Sequence, residues 1–214
     1  SRMPLQYIIG ECGFMGMMFY VDESVLCPRQ DTELLVEECA KLINPQMSVL
    51  DVCTGSGCIL ISLMRLCKDI SGFGIDISED AISIAKKNSK RHFVHPVFFC
   101  GDLFDALPPG FSPVDIIVSN PPYIPSHIIS NLEPEVRDFE PKAALDGGKD
   151  GRNFYRKISR GARKYLKKDG YLAFEIGAYE RDDVIGIMSD NGFYDIRCYI
   201  DYAGNDRVLT GRLG

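Results

Sequence analysis

Short apolar runs alternate along most of the chain with longer segments in which apolar residues recur at helical spacing. Runs of this length predict buried strands, and the longer segments predict amphipathic helices. The predicted strands are 49–53, 72–76, 96–100, 114–120 and 171–176, and the predicted helices are 31–44, 58–66, 79–91, 154–166 and 181–191. Strands that alternate with helices indicate an α/β fold with a mostly parallel sheet and helices on both faces.

The two ends of the chain have a different pattern. Near the start, two apolar, glycine-punctuated runs, 5–14 and 17–21, predict a β-hairpin. Near the end, 193–201 and 207–213 predict two strands separated by a turn. Segment 124–151 has no sustained periodicity, and so long a loop in one domain is usually functional. We predict that it forms a lid or substrate loop with a short helix.

Local signals set two of the predicted helix boundaries. Asp31 or Thr32 is a suitable N-cap for the first long helix, and Pro45 ends that helix. Gly170 is predicted to cap the helix at 154–166, because glycine readily adopts the left-handed conformation found at helix ends.

Charge and composition exclude several classes of protein. The net charge is −6 and the pI is about 5.1, which argues against a large non-specific nucleic-acid surface, although a local basic patch stays open. No apolar run is long enough to span a bilayer, and the start has no signal-peptide pattern. The eight cysteines form no Cys-x-x-Cys pair, so we expect reduced thiols, no metal and a cytoplasmic protein without membrane contact.

A glycine turn follows the strand at 49–53. Cys53 leads into Thr54, Gly55, Ser56 and Gly57, and a helix begins directly afterwards. A strand, a tight glycine turn and a helix form the first unit of a dinucleotide-type fold, in which the missing Cβ atoms let a ligand approach the backbone. The motif is neither a full Gly-x-Gly-x-x-Gly nor a P-loop, so a plain βα turn stays open.

Acidic residues end the next two predicted strands. Asp76 is placed to accept hydrogen bonds from both ribose hydroxyls of a nucleoside cofactor, although Asp76 and Ser78 are also suitable helix caps. After the strand at 96–100, Asp102 could accept from the amine of an adenine, and Leu103 could cover a face of its ring. The alternative for this pair is a turn acid and a core leucine.

The strand at 114–120 runs into the motif Asn120-Pro121-Pro122-Tyr123. Prolines lack a backbone N–H and cannot continue a sheet ladder, and a residue before proline favours an extended conformation. The motif therefore predicts a stiff corner that presents an amide, backbone carbonyls and an aromatic ring at the edge where ligands bind in open α/β sheets. The alternative is a strand exit that only packs Tyr123.

Together, these four strand ends resemble the class I methyltransferase fold. That Rossmann-like fold is a mostly parallel seven-stranded sheet with helices on both faces, here preceded by an N-terminal β-hairpin, and it binds S-adenosylmethionine. Members with Asn/Asp-Pro-Pro-Tyr/Phe methylate a planar nitrogen, which is either an adenine amine or an amide.

Further motifs resemble the peptide chain release factor glutamine N5-methyltransferases, the HemK/PrmC family. They are Pro4–Gly10, Pro28–Arg29 with Thr32–Glu33, Ser119–Tyr123, Phe139–Pro141, Gly147–Gly151 with Phe154–Arg156, Glu175–Gly177 and Asp201–Arg207. The family methylates the glutamine in the Gly-Gly-Gln loop of class 1 release factors. The resemblance implies a cofactor loop at Cys53–Gly57, a ribose ligand at Asp76, a residue over the adenine at Leu103 and a glutamine-binding segment at Asn120–Tyr123, with Asn120 near both ligands.

Two features depart from the family pattern. Glycine is usual where Cys53 stands, and we expect a small side chain to be tolerated there. The family also has a helical N-terminal domain, to which no segment here corresponds, so the chain is either a catalytic fragment or a natural short form. We expect residues 1–27 to be the hairpin and linker that follow such a domain, and residues 28–214 to be the catalytic domain, which we expect to be a monomer.

The residue types suggest how the corner would act. The Asn120 side-chain oxygen and the Pro121 carbonyl would accept both N–H bonds of a substrate amide, and Tyr123 would form a wall against its plane. The spare proton can leave to water afterwards, so no general base is required. Two alternatives stay open: an adenine N6-methyltransferase that acts on DNA or RNA, and a catalytically silent binding module.

Overall fold

The computed structural model describes residues 2–214, which form a small hairpin followed by an open sheet flanked by helices. Short 3-10 turns lie at Leu103–Ala106, Ile129–Asn131 and Lys142–Ala144. In chain order, the other elements are α1 (Leu5–Ile9), β1 (Glu11–Phe14), β2 (Met17–Tyr20), α2 (Asp31–Leu42), β3 (Ser48–Val52), α3 (Cys58–Leu66), β4 (Ser71–Asp76), α4 (Glu79–Arg91), β5 (Val97–Cys100), β6 (Val114–Ser119), α5 (Pro134–Arg137), α6 (Asn153–Tyr165), β7 (Leu166–Glu175), α7 (Arg181–Asp190), β8 (Phe193–Ile200) and β9 (Asp206–Leu213).

The main sheet has seven strands in the order β5-β4-β3-β6-β7-β9-β8. Strands β3 to β7 pair in parallel, whereas β9 is antiparallel to both β7 and β8. The chain runs from β3 to β5 on one side of the sheet and returns through β6 on the other. The order therefore reverses between β3 and β6, and in open α/β sheets the crevice at such a reversal binds ligands.

The strands of the sheet are buried on both faces. Leu50 and Ile117 pack on one face with residues of α6 and α7, while Val49 and Ile116 pack on the other face with α2 and α3. This arrangement explains why the central strands read as continuous apolar runs, because alternate side chains enter two different cores. The predicted class I architecture with its N-terminal hairpin is confirmed.

A buried asparagine of α4 fastens the hairpin to the sheet domain. The Asn88 side chain accepts a hydrogen bond from Tyr20 N at 2.7 Å and donates to the Tyr20 carbonyl at 3.1 Å. The same amide nitrogen donates to the Ser56 carbonyl at 2.9 Å. One side chain thus satisfies backbone groups of both the hairpin and the glycine turn, so the hairpin is fixed relative to the turn.

Three local predictions were wrong. The run at 5–14 was predicted as the first strand of the hairpin, but its first part, Leu5–Ile9, forms a helix, and only Glu11–Phe14 form that strand. The N-cap of α2 is Gln30, which makes no side-chain capping hydrogen bond. Gly170 does not cap α6, because Leu166 already pairs with β6. The predicted short helix within 124–151 is confirmed as α5. Within residues 2–214, no helix is long and apolar enough to cross a membrane.

Candidate active site

A cavity of about 610 Å³ opens at the carboxyl edge of the parallel strands, on the side where the strand order reverses. Its size suits a small-molecule ligand. The predicted site residues that line it are Cys53, Thr54, Gly55, Ser56, Asp76, Leu103, Asn120 and Pro122. Gly57, Pro121 and Tyr123 do not line this cavity, although they belong to the same turn and corner.

The glycine turn leaves room on the cavity side and is tightly packed behind. Gly55 has φ +53°, and a Cβ added there would meet no atom within 4 Å. Gly57 has φ +79°, and its Cβ would lie 3.0 Å from Ile61 Cδ1 and 3.2 Å from Ala85 Cβ. Gly55 therefore keeps the backbone open to a ligand, whereas Gly57 allows α3 to pack closely against α4.

Cys53 begins this turn in the left-handed region, with φ +63°. Such a conformation is uncommon for a residue with a Cβ and favours glycine. The next residue, Thr54, uses its hydroxyl to donate to the Asp51 carboxylate at 2.6 Å. Asp51 is fully buried, and burial raises its pKa to about 7 although Thr54 offsets part of that effect. The Thr54 hydroxyl thus stabilises the base of the turn.

Asp76 joins the second strand end to the glycine turn. Its carboxylate accepts from Gly55 N at 2.8 Å and from Ser78 N at 3.0 Å. Burial raises the pKa of Asp76, and these backbone N–H groups oppose that effect. The helix cap itself is Ser78, whose hydroxyl oxygen accepts from Ala81 N. Asp76 therefore faces the cavity as a carboxylate whose orientation is fixed by backbone donors.

Asp102 and Leu103 also line the cavity, after β5, the strand that pairs with β4. Leu103 is buried and has φ +48°, so the chain turns sharply there and places the leucine side chain at the cavity. Asp102 is exposed, and one of its carboxylate oxygens lies 3.7 Å from Lys157 Nζ. An exposed ion pair of this kind is weak, so it leaves the Asp102 carboxylate available to another donor.

The corner after β6 is anchored at both sides. The Ser119 hydroxyl donates to the Val52 carbonyl at 2.5 Å, and Asn120 Nδ2 donates to Thr32 Oγ1 of α2 at 3.3 Å. Among residues 2–214, no group donates a hydrogen bond to the Pro121 carbonyl. Burial raises the pKa of Tyr123 well above its usual value, so its ring is part of a largely dry environment.

The segment at 145–151 packs against the chain that leaves the corner. Ile124 N donates to the Leu145 carbonyl at 3.0 Å, and Gly147 N donates back to the Ile124 carbonyl at 2.8 Å. A Cβ on Gly147 would lie 2.7 Å from Tyr123 Cα. The two segments can approach this closely only because residue 147 is glycine. The glycine-rich motif therefore supports the position of the corner.

An ion pair holds the middle of the 124–151 segment near the cavity. Arg29 Nη2 lies 2.5 Å from Glu140 Oε1, and Arg29 itself lines the cavity. Glu140 is buried, which raises its pKa, while Arg29 acts in the opposite direction. This pair connects the segment before α2 with the loop between α5 and α6. The motifs that contain both residues were noted in the sequence, but no role was assigned to either residue.

Glu175 is a further site residue to which the sequence analysis gave no role. It ends β7 next to the corner, is 2% exposed, and its Oε2 has no hydrogen-bond partner within residues 2–214. Burial raises the pKa of Glu175 to about 7, although the Thr32 hydroxyl and the Arg207 guanidinium oppose that effect. The signal that singled out Asp76, an acid at the end of a buried strand, is also present at Glu175.

Comparisons with known proteins define the class. A family model described as a methyltransferase domain matches residues 43–200. A methyltransferase structure from Pyrococcus furiosus superimposes with a TM-score of 0.70 over 94% of this chain and 91% of that one, at 16% identity, which shows the fold alone. With the glycine turn and the cavity at the strand ends, these matches identify a class I methyltransferase.

Relatives with higher identity define the family. The release factor glutamine methyltransferase of Geobacter sulfurreducens is 45% identical over 214 residues, which are 100% of this chain and 75% of that protein. The structure of the release factor-specific protein-(glutamine-N5) methyltransferase from Alicyclobacillus acidocaldarius has 28% identity and a TM-score of 0.53, with 87% of this chain and 93% of that chain covered. This chain belongs to the release factor glutamine methyltransferases, a family of S-adenosylmethionine-dependent enzymes.

Proposed function

We propose that this chain transfers a methyl group from S-adenosylmethionine to the side-chain amide nitrogen of the glutamine in the Gly-Gly-Gln loop of a class 1 release factor. The observation that carries the proposal is the position of Asn120, which lines the cavity at the corner after β6 while its amide nitrogen is held by Thr32. Membership of the family favours this acceptor over an adenine, since both acceptors suit the same corner motif.

The residues of the cavity fit the cofactor. Gly55 presents backbone without a side chain, and the Asp76 carboxylate offers oxygens to the two hydroxyls of a ribose. Leu103 gives an apolar surface for the adenine ring. When bound, S-adenosylmethionine supplies an electrophilic methyl group on a positively charged sulfur. The 610 Å³ cavity is large enough for a ligand of this kind.

The corner orients the acceptor. An amide nitrogen is a poor nucleophile because its lone pair is delocalised into the carbonyl group. The Asn120 side-chain oxygen and the Pro121 carbonyl can each accept one N–H of the substrate amide, which aims the nitrogen at the methyl group. Orientation of this kind can lower a barrier by up to roughly 7–11 kcal/mol. The spare proton can leave to water, so the chain needs no general base for the transfer.

The same acceptors select an amide over a carboxylate. A glutamate in place of glutamine would bring no N–H donors, so the half-buried Asn120 oxygen and the Pro121 carbonyl would lose their partners and face negatively charged oxygens. Unpaired buried polar groups of this kind typically cost about 1–3 kcal/mol each. Tyr123 lies behind the corner and outside the cavity lining, and burial raises the pKa of its hydroxyl, which therefore stays protonated.

Methylation with radiolabelled S-adenosylmethionine tests the proposal. The acceptors are a release factor with Gly-Gly-Gln, the same factor with this glutamine replaced, and adenine-containing DNA. We expect label on the first alone. Asn120→Ala should lose most of the activity and keep its thermal unfolding profile, whereas Asn44→Ala, an exposed asparagine in the loop after α2, should behave as the parent. Label on DNA, or an active Asn120→Ala variant, would contradict the proposal.

A further inference from the structure

Glu175 is a buried acid that the transfer described above does not use. Ser119 pairs with Phe174 in the parallel ladder between β6 and β7, so Glu175 and Asn120 are the next residues of neighbouring strands. Glu175 is 2% exposed, and its Oε2 lacks a hydrogen-bond partner within the described chain. Burial of a carboxyl group without full pairing is unfavourable, which indicates a role other than stability.

The polarity of the hydrogen bonds around Thr32 connects Glu175 to the corner. Thr32 is 2% exposed, and its hydroxyl oxygen accepts from Asn120 Nδ2 at 3.3 Å. A hydroxyl that accepts through its oxygen keeps one proton to donate. Thr32 and Asn120 both act on the Glu175 carboxyl group and lower its pKa, Thr32 more strongly than Asn120. An ionised carboxylate can only accept, so it fixes the direction of every bond in this series.

We propose that Glu175, acting through Thr32, is a positioning residue that keeps the Asn120 amide nitrogen on the Thr32 hydroxyl and leaves the Asn120 oxygen for the substrate glutamine. This inference rests on the proposed function, because it concerns how the same corner recognises an amide. The ionised carboxylate accepts from Thr32, Thr32 accepts from Asn120, and the Asn120 oxygen is left for the substrate N–H. The preference for an amide substrate thus depends on Glu175 and Thr32, which lie behind Asn120, the residue that contacts the substrate.

Protonation of Glu175 would remove this constraint. A neutral carboxyl group has its own O–H to donate, so Thr32 could receive a proton from it and reverse its hydroxyl. Asn120 could then rotate its amide and present N–H groups to the substrate N–H groups, which cannot pair. Activity should therefore depend on the charge of Glu175, whose pKa burial raises to about 7.

Charged and titratable groups from several elements surround Glu175. Arg207 of β9 lowers its pKa, and Asp31 at the start of α2 raises it. Tyr123 and Tyr155 also face Glu175, and its charge raises the pKa of both phenols. These phenols stay protonated at neutral pH, since burial raises their pKa as well. Arg207 is itself held by Asp201, so its charge is constant in this range.

Two variants and a rescue test the positioning role. Thr32→Val removes the hydroxyl but keeps the shape, and Thr32→Ser restores the hydroxyl. Glu175→Gln removes the charge. We expect Thr32→Val and Glu175→Gln each to lower kcat on a release factor by about 10- to 100-fold with KM for S-adenosylmethionine unchanged. Thr32→Ser should recover most of the lost rate. Glu38→Gln, a buried glutamate further along α2 that pairs with Lys41, is the matched control.

The dependence of kcat on pH gives a second readout that a merely structural role would not produce. The parent should lose activity as the pH falls through about 7, whereas Glu175→Gln should be slow and independent of pH in this range. Parental kcat in Thr32→Val would overturn the inference. If Thr32→Val fails to fold, the pH profiles decide: an acid limb that persists in Glu175→Gln would overturn it.

A measurement without turnover separates this inference from the proposed function. Carbon-13 NMR of the Glu175 carboxyl carbon, assigned by its absence in Glu175→Gln, follows the titration directly. The pKa of Glu175 should rise in Thr32→Val, since a donor to the carboxylate is lost, and should stay parental in Thr32→Ser. An unchanged titration in Thr32→Val would overturn the hydrogen-bond series. A folded parent that labels no release factor would contradict the proposed function, while the titration would still decide the role of Thr32.

Discussion

The backbone N–H of Gly55 donates a hydrogen bond of 2.8 Å to the carboxylate of Asp76, and this contact joins the ends of β3 and β4 at the cavity. The glycine that leaves space for a ligand and the acid that would bind its ribose therefore fix each other's position. Orientation of this kind before binding reduces the entropy that the protein loses when a ligand binds.

Asp76→Asn should weaken binding of S-adenosylmethionine by about 10- to 100-fold, because an amide keeps the shape but replaces one of the two acceptor oxygens with a donor. The thermal unfolding midpoint should also fall, since both carboxylate oxygens accept from backbone N–H groups and the amide leaves Gly55 N or Ser78 N without its acceptor. Isothermal titration calorimetry measures the affinity. Glu79→Gln, an exposed acid in the first turn of α4, is the control and should bind as the parent does. Parental affinity in Asp76→Asn would remove Asp76 from the cofactor site.

Gly147→Ala should lower both stability and activity. Its Cβ would lie 2.7 Å from Tyr123 Cα and 2.5 Å from the Gly151 carbonyl oxygen, and both of these neighbours are backbone atoms that cannot rotate away. Overpacking of this kind typically costs about 1–3 kcal/mol. We expect kcat to fall more than cofactor affinity, because the displaced segment carries the corner rather than the glycine turn.

Gly186→Ala is the matched control for this prediction. Gly186 lies within α7, and an added Cβ would meet nothing within 4 Å. Alanine in a helix interior is favoured over glycine by roughly 0.5–1 kcal/mol, so this variant should be as stable as the parent or more so. Chemical denaturation of the three proteins measures the difference. Equal stability of Gly147→Ala and the parent would show that the segment at 145–151 can move away from Tyr123.

Most of the fold, and the cavity lining at the ends of β3, β4 and β5, could be predicted from the sequence. The predictions depended on strand ends, and the carboxyl ends of parallel strands lie at one edge of a sheet whatever the details of packing. The glycine turn, Asp76 and Leu103 were therefore placed together without knowledge of the tertiary contacts. The structure brings all three to one cavity.

The remaining errors have local physical causes. The run at Leu5–Ile9 is apolar, but Leu5, Ile8 and Ile9 are exposed, and periodicity in so short a run does not distinguish helix from strand. Gly170 lies in an irregular part of β7, between the pairs Val114↔Leu166 and Ile116↔Tyr171. Glycine is needed there because an added Cβ would lie 2.9 Å from the Asp115 carbonyl oxygen. No sequence pattern indicates such a register shift.

The role of Glu175 could not be predicted from the pattern alone. Its significance depends on contacts with Thr32 and Asn120, which come from distant parts of the chain. The signal of an acid at a strand end was present, but the sheet order that places β7 beside β6 is a tertiary property. The Arg29–Glu140 pair is a similar case, since it joins two loops whose proximity depends on the complete fold.

Cys53→Gly should fold and bind cofactor at least as well as the parent. The left-handed conformation at this position, φ +63°, costs a residue with a Cβ about 1–2 kcal/mol, and glycine adopts it freely. The gain is partly offset by the greater freedom of glycine in the unfolded chain, roughly 0.4–1 kcal/mol. Cys53→Val should be clearly destabilised, because a β-branched side chain is strongly disfavoured at positive φ.

Denaturation and cofactor titration of both Cys53 variants measure these effects. The comparison separates the effect of backbone conformation on stability from the effect of losing the thiol. Both substitutions remove the sulfur, but only valine disfavours the positive φ angle at this position. If Cys53→Val were as stable as Cys53→Gly, the left-handed conformation at the start of the turn would not be under the strain that its φ angle indicates.

Two buried carboxyl groups should make the protein less stable as the pH rises towards neutrality. Burial raises the pKa of Asp51 from 3.8 and that of Glu175 from 4.5, in each case to about 7. Between about pH 4 and pH 7 these two carboxyl groups hold more protons in the folded state than in the unfolded state. The free energy of unfolding therefore falls as the pH rises through this range, and it levels off above about pH 7. His92, whose pKa is lowered, acts in the opposite direction but is only partly buried.

Glu175→Gln should therefore have a shallower decrease in unfolding free energy between about pH 5.5 and pH 7.5 than the parent. Asp51→Asn should do the same, and the double variant should have the shallowest decrease of the three. Asp150→Asn is the control, because Arg156 lowers the pKa of Asp150 to about 2 and the residue stays ionised throughout this range. Urea denaturation at several pH values measures the slopes. Identical slopes in the parent and the double variant would mean that neither carboxyl group changes its protonation on unfolding, and the expected loss of activity below about pH 7 would then need another titrating group.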